Sequence, residues 1–419
     1  MKGFFHLLSS RQFKELLLDF QPVGTEDVSL DSALCRVAAE DIHAPEDLPP
    51  FSRSTMDGFA VRARDCFGAS ESEPSLLSVI GDIRMGTVPE GLAIGPGQAA
   101  RIWTGGMLPP GADAVVMLEY VREIAPGVIE TFRAVAPGEN VIEKGQDCQA
   151  DALVVRAGSR LRPQELGVLA GLGITEVRVR KRPLVAIIST GDELVPIEQS
   201  PSPGKIRDIN STTLSALAQE DRCGVVRMGI VDDSLDHMLN ACAQALDKGA
   251  DVVLVSGGSS VGNRDFTLRV FESIAGCRVL AHGVAVRPGK PTLLARTGNR
   301  ALFGLPGHVA SAMVVYQVFV RYLLSVLQGT DPEKGSLRIM AQCAEPFPSA
   351  TGREDYVRVA LDRSAFETGG SGITCPAARP VHGKSGLIST LVKSDGLLVI
   401  PRDSEGLHRG EYAEVIIFQ

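Results

Sequence analysis

The stretch DVVLVSGGSSVGNRDFTLRVFESI, residues 251–274, decides the fold. A short apolar run, Val252 to Ser256, empties into glycines and serines, reaches Asp265 and continues as a helical pattern. Read outward, the same strand, loop and helix order recurs. PLVAIIST from Pro183 reads as a buried strand, NSTTLSALAQE as a helix capped by Asn210 or Ser211, and GVVRMGIV as a strand. DDSLDHMLNACAQALDKG reads as a helix that Ser234 caps and Gly249 ends. PTLLA and ALFGLPG are strands, and HVASAMVVYQVFVRYLLSVLQG is a long helix. Strands alternating with helices predict a mostly parallel sheet covered on both faces, over 183–329.

The rest of the chain differs in pattern. RQFKELLLDF and SLDSALCRVAAEDI read as helices, and a helical pattern returns after Pro163. Between them, 46–143 carries short apolar runs separated by Gly/Pro clusters. The expected architecture is therefore a multidomain α/β protein. It has an N-terminal helical domain (1–45 plus 144–182), an inserted β-rich lobe (46–143), the mostly parallel α/β sheet domain (183–329) and a C-terminal all-β, barrel-like domain (330–419).

The chain has 419 residues and a formal net charge of −8, which argues against a general nucleic-acid binder. Its eight cysteines form no CxxC and no zinc-ligand spacing, a pattern expected of reduced thiols in a cytoplasmic protein. No signal peptide is read at the start and no run of about 18 apolar residues is found, so no membrane span is expected.

In an open parallel sheet, ligands bind beyond the carboxyl ends of the strands. Three loops leave that edge: STGDEL (189–194), SGGSSVGNRD (256–265) and GLPGH (304–308). Gly257, Gly258 and Gly262 let backbone N–H groups approach a ligand, and Ser256, Ser259 and Ser260 add hydroxyls. With the following helix N-terminus these make an anion cradle suited to phosphate. Asp265 alone reads equally as a helix cap, worth about 1 kcal/mol, or as a functional group. Asp192 and Glu193 tilt that balance, because several carboxylates beside a phosphate site call for a hard divalent cation. In VRPGKPT (286–292), Arg287 and Lys290 flank a Pro-Gly turn and supply cations, although a basic turn of this kind is more often merely solvated. It is not a Walker A loop, and no G-x-G-x-x-G follows a strand. His308 reads as a polar contact at a helix start, the DD at 232–233 as a cap with a lesser metal role, and GKSG (383–386) as a β-domain turn.

Seven stretches in order resemble the molybdopterin molybdenumtransferase family, the bacterial relatives of the gephyrin E-domain. They are DLPPFSRSTMDGFAV (47–61), ARIWTGGMLPPGADAVVMLE (100–119), KGQD (144–147), ISTGDEL (188–194), SGGSSVGNRD (256–265), RPGKP (287–291) and GLPGHVASAM (304–313). The resemblance implies a homodimer in which the β lobe of one subunit faces the α/β domain of the other. It implies insertion of molybdate into adenylylated molybdopterin, with cleavage of the pyrophosphate and release of AMP and molybdenum cofactor, assisted by Mg2+. It places Asp57, Thr104, Glu193, Asp265 and Lys290 in catalysis. Gly257, Gly258, Ser259, Ser260, Gly262, Arg287, Pro288, Gly289, Pro306 and Asp147 fall in substrate binding, and Asp192, Glu193, Asp232 and Asp265 at the metal. Other proteins of molybdenum cofactor biosynthesis are candidate partners.

The chain departs from the family at the expected cleft. The usual Leu-Pro-Gly-Asn-Pro is LPGHV here, Asp-Ser-Asn is DIN at 208–210, and the first Lys of KPGKP is Arg287. Ile142 stands where an Arg is frequent. Three alternatives stay open: a tungstate-inserting paralogue, a non-catalytic pterin-binding scaffold of the gephyrin type, and a generic Mg-dependent nucleotide hydrolase.

Overall fold

The structure, a computed structural model, describes residues 7–257, 264–362 and 375–418. The chain divides into two units, residues 27–178 and the chain on either side of that segment.

The larger unit is built on a six-stranded sheet. Its strands are β1 (Leu184–Thr190), β2 (Gly224–Val231), β3 (Val252–Gly257), β4 (Cys277–His282), β5 (Leu293–Thr297) and β6 (Arg300–Leu305), in the order β2-β1-β3-β6-β5-β4. The first four in that order run parallel, and β5 and β4 are antiparallel additions. β4 carries no clear strand pattern in the sequence, because its CRVLAH mixes a charge and a His with apolar residues as an edge strand does. The apolar runs are continuous because both faces are covered. Val185 and Ile187 enter one core with Val252, Leu254 and Phe303, while Ala186 and Ile188 enter another with Val253 and Val255. Helices α1 (Ser10–Leu18), α2 (Asn210–Glu220) and α5 (Val309–Gln328) cover the first face. Helices α3 (Leu235–Asp247) and α4 (Arg264–Ser273) cover the second.

Helix α5 has the length and overall hydropathy of a membrane span, but Gln317 and Arg321 interrupt its apolar run and it is nearly all buried in this core. It widens to π-helix over Tyr316–Val320 and carries a buried Arg321. The Arg321 guanidinium sits 2.8 Å from Asp221 and 3.2 Å from Glu220, and Tyr316 Oη donates to Asp221 at 2.9 Å. Burial and that neighbouring carboxylate push the Tyr316 phenol well above its ordinary pKa.

After α5, strands β7 (Arg338–Cys343), β8 (Glu354–Asp362), β9 (Ala377–Pro380), β10 (Gly396–Ile400) and β11 (Tyr412–Ile417) pair in the order β8-β9-β7-β11-β10. An added β8–β10 pairing closes them into a small barrel. The two-residue strand Val286–Arg287 leaves the α/β domain to pair with Glu354 and Asp355 of β8.

The smaller unit carries a six-stranded sheet. Its order is Ala114–Met117, Gly58–Val61, Gln98–Ile102, Ser75–Ile83, Val128–Thr131, Val121–Ala125, as expected for a β-rich lobe.

The expectation of an N-terminal helical domain is corrected. Helix α1 puts Phe13 and Leu17 into the core of the larger unit, with Phe13 4.6 Å from the Phe319 ring. SLDSALCRVAAEDI forms only a 3-10 turn, Leu30–Ser32. Beyond it, backbone bonds run to 159–161: Cys35 N–H to Leu161 O at 2.8 Å and Ala38 N–H to Ser159 O at 2.9 Å. A helix would have to bury Leu34, which stands 48% exposed, so the tertiary ladder overrides weak helical periodicity. Within 144–182 the helix is Pro163–Gly171, beside the strands Leu153–Val155 and Glu176–Arg180.

Candidate active site

Strands β1, β2 and β3 end level with one another. Thr190 is in register with both Val231 and Gly257, and Ser256 with Leu305 of β6. Their loops therefore leave one edge, as the alternating pattern requires.

Gly257 has a reason in the strand pairing besides the one read in the sequence. Its φ is 132°, and a Cβ there would lie 1.9 Å from Thr190 O. The neighbouring strand by itself already excludes a side chain there. Gly258, Ser259, Ser260, Gly262 and the side chain of Asp265 lie outside the described residues; Asp265 falls in the first turn of α4.

The carboxylates are placed unevenly. Asp192 and Glu193 are exposed on a tight turn closed by Leu194 N–H donating to Gly191 O at 3.0 Å. The Glu193 carboxylate folds back over Gly191, where a Cβ would lie 2.7 Å from Oε2. Lys205 Nζ donates to the Asp192 backbone carbonyl. Asp232 does not join this pair: its Oδ1 lies 2.6 Å from His237 Nδ1, in the first turn of α3. Asp233 faces the strand end instead, accepting from Thr190 Oγ1 at 2.6 Å. Among the described residues no three His, Cys, Asp or Glu side chains gather as a metal-holding group; Asp192 and Glu193 are adjacent on one turn, and the Asp265 carboxylate of the expected metal set lies outside the described residues.

Asn210, read only as a cap, does something else. Asp208 caps α2, accepting from Ser211 N–H at 3.1 Å. Asn210 Nδ2 donates to Ser256 Oγ at 2.6 Å and to Gly307 O at 2.8 Å. It thus ties the second loop to the third, in which Pro306 is buried.

The third loop ends at His308, whose Nδ1 lies 2.9 Å from Ser385 Oγ. Ala310 N–H, an orphan donor at the start of α5, donates to Ser385 O at 3.1 Å. So the GKSG turn, read as an ordinary barrel turn, docks on the third loop. Ser385 lines a cavity of about 670 Å³ with Arg287, Pro288, Arg358, His382 and Lys384. Arg358 Nη2 donates to Gly383 O at 2.6 Å and its Nη1 to Thr390 Oγ1, bracing the same turn. Burial holds the Arg358 guanidinium below its usual pKa.

Arg287 reaches this cavity with part of its charge answered. Its Nη1 is 3.5 Å from Oδ2 of the buried Asp355, which also meets Arg353 at 3.0 Å. The Arg287–Pro288 bond is cis, and Gly289 sits at φ 121° where a Cβ would strike Val315 at 2.6 Å. Lys290 is exposed and does not line the cavity.

In the smaller unit the structure brings Asp57 and Thr104 together. Asp57 Oδ1 accepts from Thr104 Oγ1 at 2.7 Å and from Thr104 N–H at 2.8 Å. The hydroxyl first and then the N–H hold the Asp57 carboxyl below its usual pKa, so it stands as a fixed anion. Asp147 is exposed, and its N–H is bonded to Leu48 O at 3.0 Å.

Signals for Asn210 and Ser385 existed in DIN and GKSG, but a spacing of 46 and 77 residues from their partners hides such contacts in sequence. Arg358 carried no signal at all.

The fold and site define a multidomain α/β protein whose third strand-edge loop meets a basic cavity. Residues 8–173 match the MoeA N-terminal region (domain I and II), 186–325 a probable molybdopterin binding domain and 340–418 the MoeA C-terminal region (domain IV). The molybdopterin molybdenumtransferase of Bacillus subtilis is 34% identical over 96% of this chain and 91% of its own length. That of Staphylococcus epidermidis is 31% identical, over 96% and 94%. A crystal structure of the molybdopterin biosynthesis MoeA protein from Pyrococcus horikoshii OT3 superposes with a TM-score of 0.83 at 31% identity, covering 98% of this chain and 100% of that one. The chain belongs to the molybdopterin molybdenumtransferase family, the transferases of molybdenum cofactor biosynthesis.

Proposed function

We propose that this protein inserts molybdate into adenylylated molybdopterin, cleaving the pyrophosphate link and releasing AMP and molybdenum cofactor. One observation carries the reading. A continuous chain of contacts, Ser256–Asn210–Gly307–His308–Ser385, joins the glycine loop of the parallel sheet to a cavity walled by Arg287, Arg358 and Lys384. A basic cavity joined in this way to the strand edge suits two anionic substrates that must meet.

Gly258, Ser259, Ser260 and Gly262, which lie in sequence between β3 and α4, are residue types that suit phosphates. The basic cavity is sized for an oxyanion and the pterin end, with Arg287 and Lys384 attracting charge. Asp192 and Glu193 are hard oxygen ligands on one turn. They fit Mg2+, which takes one or two carboxylates and completes its shell with phosphate oxygens and water. When bound, the ion would offset the charge that develops as the phosphate link breaks. In the proposed homodimer, Asp57 and Thr104 of one copy approach the site of the other. Asp57, fixed as an anion by Thr104, orients donors there rather than taking a proton.

The test is AMP release from adenylylated molybdopterin with molybdate and Mg2+. Glu193→Ala should lower kcat by roughly 10²-fold or more, and chelation of the metal should abolish turnover. Undiminished release in Glu193→Ala removes the carboxylate assignment. Tight pterin-nucleotide binding with no release by the unaltered protein makes it a scaffold. Faster turnover with tungstate makes it a tungstate-inserting enzyme, and preference for ATP a nucleotide hydrolase.

A further inference from the structure

His308 stands at the junction of the third loop and the barrel turn, with no cap bond to its own helix. Its imidazole is spent on Ser385, which lines the cavity. Ser385 is held at two points, its carbonyl by Ala310 N–H and its hydroxyl by His308 Nδ1. A serine hydroxyl has one proton and two lone pairs. If it donates that proton to the imidazole, the cavity faces lone pairs, which repel an anion. If the imidazole donates, the proton is free to point at the anion. Arg358 cannot substitute for it fully, because Nη1 and Nη2 both brace the 383–390 segment.

We propose that His308 is a positioning residue for the oxyanion: its Nδ1–H donates to Ser385 Oγ and turns the Ser385 hydroxyl proton into the cavity, where it donates to molybdate. The inference rests on the transferase reading of that cavity. It also accounts for the departure from the family residue, since asparagine Nδ2 and histidine Nδ1 place an N–H donor at the same distance along the side chain.

The experiment is calorimetric titration of the full chain with molybdate and with tungstate, beside KM for molybdate and for adenylylated molybdopterin. His308→Leu should weaken oxyanion binding about tenfold, the loss of one charge-assisted hydrogen bond, and leave KM for the pterin nucleotide unchanged. His308→Asn should bind within about twofold of the unaltered protein, because it restores a donor at that position. Ser385→Ala should match His308→Leu, and the double variant should be no worse than Ser385→Ala alone, since both remove one contact. Unchanged oxyanion affinity in His308→Leu, equal losses for both substrates, or multiplying losses in the double variant would overturn the proposal. If the unaltered protein binds neither oxyanion, the cavity assignment falls together with it. A folding defect in His308→Leu is separated by the Ser385→Ala and His308→Asn arms, which give the answer without it.

Discussion

Gly257 illustrates what a single residue decides here. Its positive φ and the Thr190 carbonyl 1.9 Å from an ideal Cβ leave no room for alanine. Gly257→Ala should therefore destabilise the larger unit by about 2–4 kcal/mol, read as a fall in the denaturant midpoint with an unchanged slope. A midpoint within experimental scatter of the original would mean that β1 and β3 part easily at this level. The glycine is legible as a glycine that matters, but its reason is not. A sequence shows that a side chain is missing, and only the neighbouring strand shows what would collide with it. The same holds for Asp232 and Asp233. Adjacent acids are indistinguishable as text, yet one bonds His237 and the other Thr190.

At the scale of an element, the helix Pro163–Gly171 shows how a terminus is fixed by a local pair. Arg162 N–H and guanidinium both bind Glu165, at 2.9 Å and down to 2.5 Å. The Arg162 side chain, first among the causes, holds the Glu165 carboxyl down to about 2. The unfolded chain has an ordinary Glu near 4.5, so on acidification the unfolded state takes up the proton first. The contribution of this cap is thus full above about 4.5 and is lost as pH falls towards about 2. Stability followed against pH should lose part of its slope across that window in Glu165→Gln, and the difference should shrink with added salt because Arg162 is largely exposed. Identical slopes for both proteins would remove the cap from the account. Pro163 marks this helix start plainly in the sequence. SLDSALCRVAAEDI does not fail for lack of helix formers; its partner at 159–161 is over 120 residues away, beyond any local pattern.

For the whole molecule, the proposed sharing of sites between two copies has a direct measurement. Asp57→Asn and Glu193→Ala proteins should each be inactive. Subunits of the two, unfolded and refolded together, should recover about a quarter of normal activity, since half the dimers are mixed and each mixed dimer carries one intact site. No recovery, with dimers present by light scattering, would place both residues in the same copy's site.

What the sequence determined by itself is periodicity and punctuation. Continuous β-branched runs, alternating helices and glycine loops specify a parallel sheet and the edge at which its loops emerge. Short runs between Gly/Pro clusters specify the β lobe and the barrel. These are local consequences of side-chain shape and backbone freedom. Tertiary structure alone decided that α1 serves the α/β core, that Asn210 joins two loops, that Arg358 and Ser385 of the barrel face Arg287, and that α5 is a core helix despite a membrane-like composition. Each depends on which surfaces meet once the chain has folded, and contact across tens to hundreds of residues leaves no periodic trace in the order of its amino acids.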